Sequence, residues 1–418
     1  MLLRFEVANH RSILDPVELS MIAVDEGRPS ARSFDLLNEQ VLTIAGIYGP
    51  NASGKSNVLE ALAWLSSAVD RSLRSWDNAI PRDPFKFGDG PRLPSVYEVE
   101  MMSDDVRYAY HLEVTDSEVL SESLVSYPKR QPRTLFEREG MEISFRRGLE
   151  NTSGTRELLT PTTLALSAIM RFNEPEVGPF GHDIRSIMSR GVQQRWDRRR
   201  PPVLGSLYRT TASIFLAEGD AAPDVRDSAL AMLRFADLGI DDVQTGPGEE
   251  VTVSDTVRER RKLVLVHRSR EQEIPFDLAD ESAGTQTWFR LIGPALYALS
   301  EGRILLFDEI DASLHPRLSA RLLELFQDSV TNPRGAQLIF TTHDTSLLNY
   351  LNRDEVWLTE KDENGTTSLT ALAEFGGDKV RRSLNLEKAY LQGRFGAVPE
   401  LDQIALRRAL GLALGNES

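Results

Sequence analysis

The sequence predicts an α/β fold: a P-loop-type sheet with an antiparallel β subdomain and an inserted helical region. Three observations predict it. The first is Gly49-Pro50-Asn51-Ala52-Ser53-Gly54-Lys55-Ser56, which fits G-x-x-x-x-G-K-[ST]. The second is Ile304–Phe307, a wholly apolar run that ends in Asp308-Glu309. The third is the change of pattern between them, from strand-like runs to helical segments and back.

Taken in order, Leu3, Phe5 and Val7 alternate with Arg4 and Glu6, as an edge or half-buried strand would. Val41–Ile47 reads as a buried strand entering the glycine loop. Val58, Leu59, Leu62 and Leu65 then recur at helical spacing. After a stretch rich in Pro and Gly come Val96–Met102, Arg107–Val114 and Glu118–Tyr127. Ser103-Asp104-Asp105 and Thr115-Asp116-Ser117 separate these runs, so an antiparallel meander beside the nucleotide sheet is expected.

Leu164–Met170 and Val225–Leu238 read as helices, and no heptad pattern persists long enough for a coiled coil. Strands return at Val251–Val253 and Leu263–His267. Leu318, Leu322, Leu325 and Phe326 mark a helix after the Asp308 strand. Gln337–Thr342 is another buried strand, ending at His343. Glu355–Glu360 and Ser368–Leu372 flank Asn364-Gly365, a hairpin signal. Because Lys55 and Asp308 lie far apart, the sheet is assembled from both ends of the chain. The expected organisation is 1–150 for the first half of the nucleotide unit with its meander, 151–245 for the helical insertion, and 246–418 for the second half.

Composition narrows the classes. Hydrophobic content of 41% and charged content of 27% are ordinary for a soluble globular protein. Without cysteine there is no disulfide, no thiol chemistry and no cysteine metal site. Charges near the N-terminus interrupt any signal-peptide core, and the longest apolar runs are too short to span a bilayer. A cytoplasmic location without membrane contact is expected. A net charge of −15 argues against a uniformly basic DNA-coating protein but allows a local basic groove. Arg195, Arg198, Arg199 and Arg200 form one basic cluster, and Arg258–Lys262 another. Either grips a nucleic-acid backbone or is a solvated face paired with the protein's own acids.

The loop's chemistry follows from its residue types. Gly49 and Gly54 let the backbone from Gly49 to Asn57 turn its N–H groups toward phosphate, at the positive end of a new helix. Lys55 would reach the β- and γ-phosphates, while Ser56 and Asp308 would hold Mg²⁺. Glu309 would orient and deprotonate a water, although two acids after a strand also serve as a plain helix cap. His10, His111, His182 and His267 are scattered without ligand spacing and are expected to be structural.

Arg303–Pro316 resembles the Walker B and D-loop of ABC-type ATPase heads, the class of RecF and the structural-maintenance-of-chromosomes proteins. The resemblance implies ATP as the nucleotide, Ser313, Leu314 and His315 as a D-loop, and His343 within Thr341–Asp344 as a γ-phosphate switch. It also implies that Ser282, Ala283, Gly284 and Thr285 act in trans as a signature motif at the other subunit's nucleotide. Ala283 and Thr285 depart from transporter-type Leu-Ser-Gly-Gly-Gln, while the Ser-x-Gly part is kept; no Q-loop glutamine is assigned.

The chain more closely resembles RloA- and AbiL-type ATPases, related to the ATPase of PARIS anti-phage systems. Glu281–Thr285, Ser313–Pro316, Arg353–Trp357 and the tail Glu387–Pro399 carry that likeness. It is similar to OLD-family enzymes, and a TOPRIM nuclease of their kind is not expected in the short stretch after His343. The resemblance implies a homodimer or higher even homo-oligomer, acting as sensor or scaffold of an abortive-infection system through a separate effector encoded alongside. The second reading is a RecF-like, ATP-dependent DNA-binding clamp in repair. Tyr390, Phe395 and Arg394 in the tail suit either a partner interface or packing on the protein's own core.

Overall fold

Two sheets face each other across one long helix. The computed structural model describes residues 1–192 without 26, 77, 148, 150, 151 and 153; 211–216; 223–236; 239–246; 250–253; 256–259; 262–269; 272–375 without 313; and 385–397.

The chain opens with β1 (Leu2–Ala8), β2 (Val17–Ser20) and β3 (Ile44–Tyr48), which leads through the glycine loop into α1 (Lys55–Ser75). Next come β4 (Ser95–Ser103), β5 (Val106–Val114), β6 (Val119–Tyr127), β7 (Arg133–Glu139) and β8 (Glu142–Phe145). α2 (Ala165–Ile169), α3 (Gly178–Arg185), β9 (Met188–Arg190), α4 (Pro223–Ala236) and β10 (Ile240–Gly246) follow. A hairpin, Glu250–Val253 with Thr256–Glu259, precedes β11 (Lys262–Arg268) and β12 (Glu273–Asp277). The last part holds α5 (Ala283–Glu301), β13 (Ile304–Phe307), α6 (Pro316–Gln327), β14 (Gln337–Thr341), β15 (Val356–Lys361), β16 (Thr367–Ala371) and α7 (Leu386–Leu391).

The nucleotide sheet has six strands in the order β9-β13-β14-β3-β15-β16, parallel except for β16. The β15–β16 hairpin turns at Gly365, whose φ of +82° is the left-handed backbone that the Asn-Gly pair anticipates. The β3 segment is shorter than its apolar run. Val41–Leu42 pairs with Ala31–Arg32 instead, and Thr43 turns away to donate to the Ser30 carbonyl at 3.0 Å.

The meander is wider than its three sequence signals. It forms a seven-stranded antiparallel sheet, β8-β7-β6-β5-β4-β1-β2, and β1 is an interior strand rather than an edge. Its alternation reports one face turned to the core. Within the helical stretch that follows, β9 joins the nucleotide sheet by pairing in parallel with β13.

Successive residues of the central strands feed opposite cores. Ala45, Ile47, Ile304, Leu306 and Ile339 pack with α1 and the antiparallel sheet; Ile44, Tyr48, Leu305, Phe307, Leu338 and Phe340 pack with α5 and α6. Helix α1 is therefore buried around most of its circumference from Val58 to Val69, and its Trp64 stacks on Tyr97 of β4 with ring centroids 4.5 Å apart. Gly46 of β3 clears the way for the other core, because a Cβ there would lie 2.8 Å from the Phe340 ring.

One buried ion group fastens α2 to the antiparallel sheet. Glu122 accepts the N–H groups of Ala165 (2.6 Å) and Leu166 (2.8 Å), and pairs with the equally buried Arg138 at 3.6 Å. No helix among the described residues is long and apolar enough to cross a membrane.

Candidate nucleotide-binding site

The loop between β3 and α1 is closed by glycine geometry. Gly49 has φ +151° and Gly54 +104°, and a Cβ on Gly49 would stand 2.5 Å from the Thr359 carbonyl oxygen. Beyond Pro50, Asn51 and Ala52 form the exposed crest of the loop, with Ala52 at φ 63°. Gly54 is the N-cap of α1 and brings no side chain to it; the Asn57 N–H donates to the Gly54 carbonyl at 2.9 Å, and the N–H groups of Lys55 and Ser56 remain available to an anion.

The loop is braced from far along the chain. Buried Ser53 meets Thr359 through their hydroxyls at 2.6 Å, and its carbonyl accepts from Thr367 Oγ1 at 2.8 Å. Thr367 also meets the Ser12 hydroxyl at 2.6 Å, and Asn57 donates to the same hydroxyl at 2.5 Å. Thr359 and Thr367 belong to the β15–β16 hairpin, so that hairpin sets the loop's shape.

Lys55 is buried and curls over the loop, donating to the carbonyls of Gly49 at 2.9 Å and Pro50 at 3.0 Å. Burial pulls its pKa below the ordinary lysine value, and the carboxylates of Asp308, Glu309 and Asp311 oppose that pull. Ser56 Oγ donates to Asp308 Oδ1 at 2.8 Å. Glu309, exposed beside it, has φ 54°, and its N–H donates to Thr341 Oγ1 at 2.7 Å. Asp311 accepts the Thr342 hydroxyl at 2.7 Å and the His343 N–H at 3.2 Å, leaving the His343 ring exposed.

Lys55, Ser56, Asp308 and Glu309 thus meet at the carboxyl ends of β3 and β13, where open α/β sheets bind ligands. Asp308 arrives across an intervening strand, since β14 separates β13 from β3.

The other predicted positions lie elsewhere. Ser282 caps α5, accepting the Thr285 N–H at 3.1 Å, with Ser282 and Ala283 exposed, Gly284 half-buried and Thr285 buried. Among the described residues no hydrogen bond or ion pair joins Ser282–Thr285 to the phosphate loop. Leu314 is buried, and His315 caps α6 by accepting the Arg317 N–H on Nδ1 at 3.2 Å. Ser313, Arg195, Arg198, Arg199 and Arg200 lie outside the described residues.

The scattered histidines are individually partnered. His10 meets the Tyr97 hydroxyl at 3.0 Å, His111 meets Glu98 at 3.0 Å, His182 meets Arg303 at 3.0 Å, and His267 meets Glu281 at 2.7 Å. No group of three or more His, Cys, Asp or Glu that could hold a metal occurs among the described residues. One hydroxyl and one carboxylate, Ser56 and Asp308, are nevertheless the protein donor set that Mg²⁺ takes when phosphates and water supply the rest.

The tail packs on its own core. Tyr390 stands edge-on to Tyr48, the residue before Gly49, with centroids 6.1 Å apart, and donates to the Ala397 carbonyl at 2.7 Å. Ala397 N–H donates to Glu360 at 2.6 Å, and Glu387 accepts from Asn349 at 2.8 Å. Phe395 is buried against Phe375, whereas Leu391 and Arg394 are exposed. Of the two readings of the tail, core packing accounts for both its Tyr and its Phe.

Sequence reasoning assigned no role to Ser12, Thr359 and Thr367, and to Thr341 none beyond its place in the Thr341–Asp344 motif. Only Thr341 carried a signal, a hydroxyl following the apolar run Leu338–Phe340.

A mostly parallel sheet of this order, with a glycine loop at one strand end and paired acids at another, defines a P-loop nucleotide-binding protein of the ATPase class. More narrowly, the chain belongs to the family described as "AAA domain, putative AbiEii toxin, Type IV TA system", whose model matches residues 44–349. Among solved structures it is similar to an SMC head domain from Thermotoga maritima, at 15% identity over 88% of this chain and 98% of that one, TM-score 0.41. It is also similar to an SMC head bound to the C-winged helix domain of ScpA, at 13% identity over 88% and 97%, TM-score 0.44. No curated protein matches the chain.

Proposed function

We propose that the protein is a Mg²⁺-dependent ATP hydrolase whose heads pair across nucleotide and relay a signal to a separate effector in an anti-phage, abortive-infection system. The carrying observation is the 2.8 Å bond from Ser56 to Asp308 beside the buried Lys55. Lys55 would leave the carbonyls of Gly49 and Pro50 for the β- and γ-phosphates, while the α1 N–H groups hold the phosphate chain. Ser56 and Asp308 would hold Mg²⁺, which neutralises phosphate charge when bound. Glu309 would orient the attacking water and take its proton, with His343 facing the γ-phosphate.

Ser282 and Gly284, at the N-terminus of α5, would meet the partner head's nucleotide, with Leu314 and His315 near that contact. The product is a homodimer or a higher even homo-oligomer, working in the cytoplasm. The family description, which names AbiEii toxin and a Type IV TA system, supports the defence role, as does the resemblance to RloA- and AbiL-type ATPases. Phosphate release from ATP, with and without Mg²⁺, tests the chemistry; no metal-dependent release overturns it. Co-expression with the neighbouring gene product tests the effector, and failure to co-purify with or without ATP removes that part.

A further inference from the structure

Thr341 closes β14, the strand between the loop strand β3 and the Asp308 strand β13. Its side chain is fully buried. The hydroxyl donates to Asp308 Oδ1 at 2.7 Å and accepts the Glu309 N–H at 2.7 Å, while the Thr341 carbonyl accepts the Ile310 N–H at 3.0 Å. One residue therefore ties three successive residues of the acidic loop. It does so at an uncommon backbone conformation, since Glu309 holds a left-handed φ of 54° without being glycine.

The opposite side of Asp308 is held by backbone alone. Its N–H donates to the Arg190 carbonyl at 2.8 Å, and a Cβ on Gly191 would lie 2.5 Å from its carbonyl oxygen. These contacts fix the main chain of Asp308 and leave its carboxylate free to rotate. Side-chain direction falls to Ser56 and Thr341, which both donate to Oδ1. Ser56 is a proposed Mg²⁺ ligand, so Thr341 is the donor not committed to that role. Valine has the same shape, and packing alone does not require a hydroxyl at this position.

We infer that Thr341 is a positioning residue of the site, holding the Asp308 carboxylate toward Ser56 and keeping Glu309 in its left-handed conformation. The inference rests on the reading of Asp308 and Glu309 given above. Its mark is a defect specific to Mg²⁺. Groups that orient metal ligands typically change metal affinity or activity by roughly ten- to a hundredfold when lost. Nucleotide contacts made by Lys55 and the loop do not pass through Thr341.

The test compares wild type, Thr341→Val and Thr341→Ser, measuring ATP binding by calorimetry with and without MgCl₂, and phosphate release over a Mg²⁺ series. For Thr341→Val, metal-free ATP affinity should stay within about threefold of wild type, while half-saturating Mg²⁺ rises and kcat falls, each roughly tenfold or more. Thr341→Ser should recover both to within about threefold, because it keeps the hydroxyl. If the valine variant does not fold, Thr341→Ser against Thr341→Ala isolates the same hydroxyl. Equal Mg²⁺ dependence and kcat in wild type and Thr341→Val overturn the inference and leave the ATPase reading standing. A wild-type protein without Mg²⁺-dependent ATP binding overturns that reading and the inference with it.

Discussion

Ser56 and Asp308, 252 residues apart in the chain, share a 2.8 Å hydrogen bond. The bond joins the first turn of α1 to the end of β13, bringing the hydroxyl and carboxylate expected around Mg²⁺ together. Lys55 and Glu309 come with them as immediate neighbours, which makes the chemistry separable by mutation. Lys55→Ala should lower phosphate release from ATP by roughly a hundredfold or more, through loss of its phosphate contact. Glu309→Gln should bind ATP within about threefold of wild type yet turn it over about a hundredfold more slowly. Wild-type turnover in Glu309→Gln would assign the base elsewhere.

Head pairing has its own readout. Ser282 stands exposed at the N-terminus of α5, where it caps the Thr285 N–H and where the helix end suits the anion that a partner head's nucleotide would bring. Light scattering of Glu309→Gln with ATP and Mg²⁺ should give a dimer or a higher even assembly, and Ser282→Arg should abolish it by filling the gap. A monomer under the first condition removes the in-trans role of Ser282–Thr285.

Acid stability should hinge partly on His10. Burial pulls its pKa from 6.5 to about 3, with Arg11 adding to the shift and Asp83 opposing it. A lowered folded-state value means that the unfolded chain binds the proton first. The stabilisation is complete above 6.5 and is lost as pH falls toward about 3. By about pH 5 the loss is on the order of 2 kcal/mol. Urea unfolding of His10→Gln, compared near neutrality and near that acidic pH, should show a shallower decline than wild type. An unchanged decline would take His10 out of the account.

The tail divides into structural and exposed residues. Tyr390→Ala removes a buried ring from Tyr48 and a bond to the Ala397 carbonyl, and should cost about 3 kcal/mol of stability. Arg394 is exposed, and Arg394→Ala should shift unfolding by less than about 0.5 kcal/mol. On the effector reading, Arg394→Ala is the variant that weakens co-purification with the neighbouring gene product. A complex indifferent to Arg394→Ala would move the docking site off the tail.

The glycine loop, the Asp308-Glu309 strand end and the Asn364-Gly365 hairpin were legible because each is written in adjacent residues. The strands the sequence hid have local reasons. β9 is three residues long, too short for a period. β12 contains Pro275, which weakens a strand pattern. In β7, Arg138 points inward to Glu122 and breaks the alternation. Strand order was also out of reach: nothing within Gln337–Thr341 announces that it inserts between β3 and β13. The threonines that brace the loop and the acids come from distant segments, and a lone hydroxyl has no periodicity to betray it.

The position of β3 bears on how the protein is made. Its two partners in the sheet are β14 and β15, so the phosphate loop is synthesised long before the strands that hold it. The antiparallel sheet, whose meander strands pair with sequence neighbours, can assemble on the emerging chain, while the loop strand waits. A ribosome that stalls before β14 releases a product with a complete glycine motif and no platform to present it. On the proposed reading, nucleotide binding in this architecture should therefore wait for β14 and β15, and a copy truncated before them should compete poorly for nucleotide with one that has them.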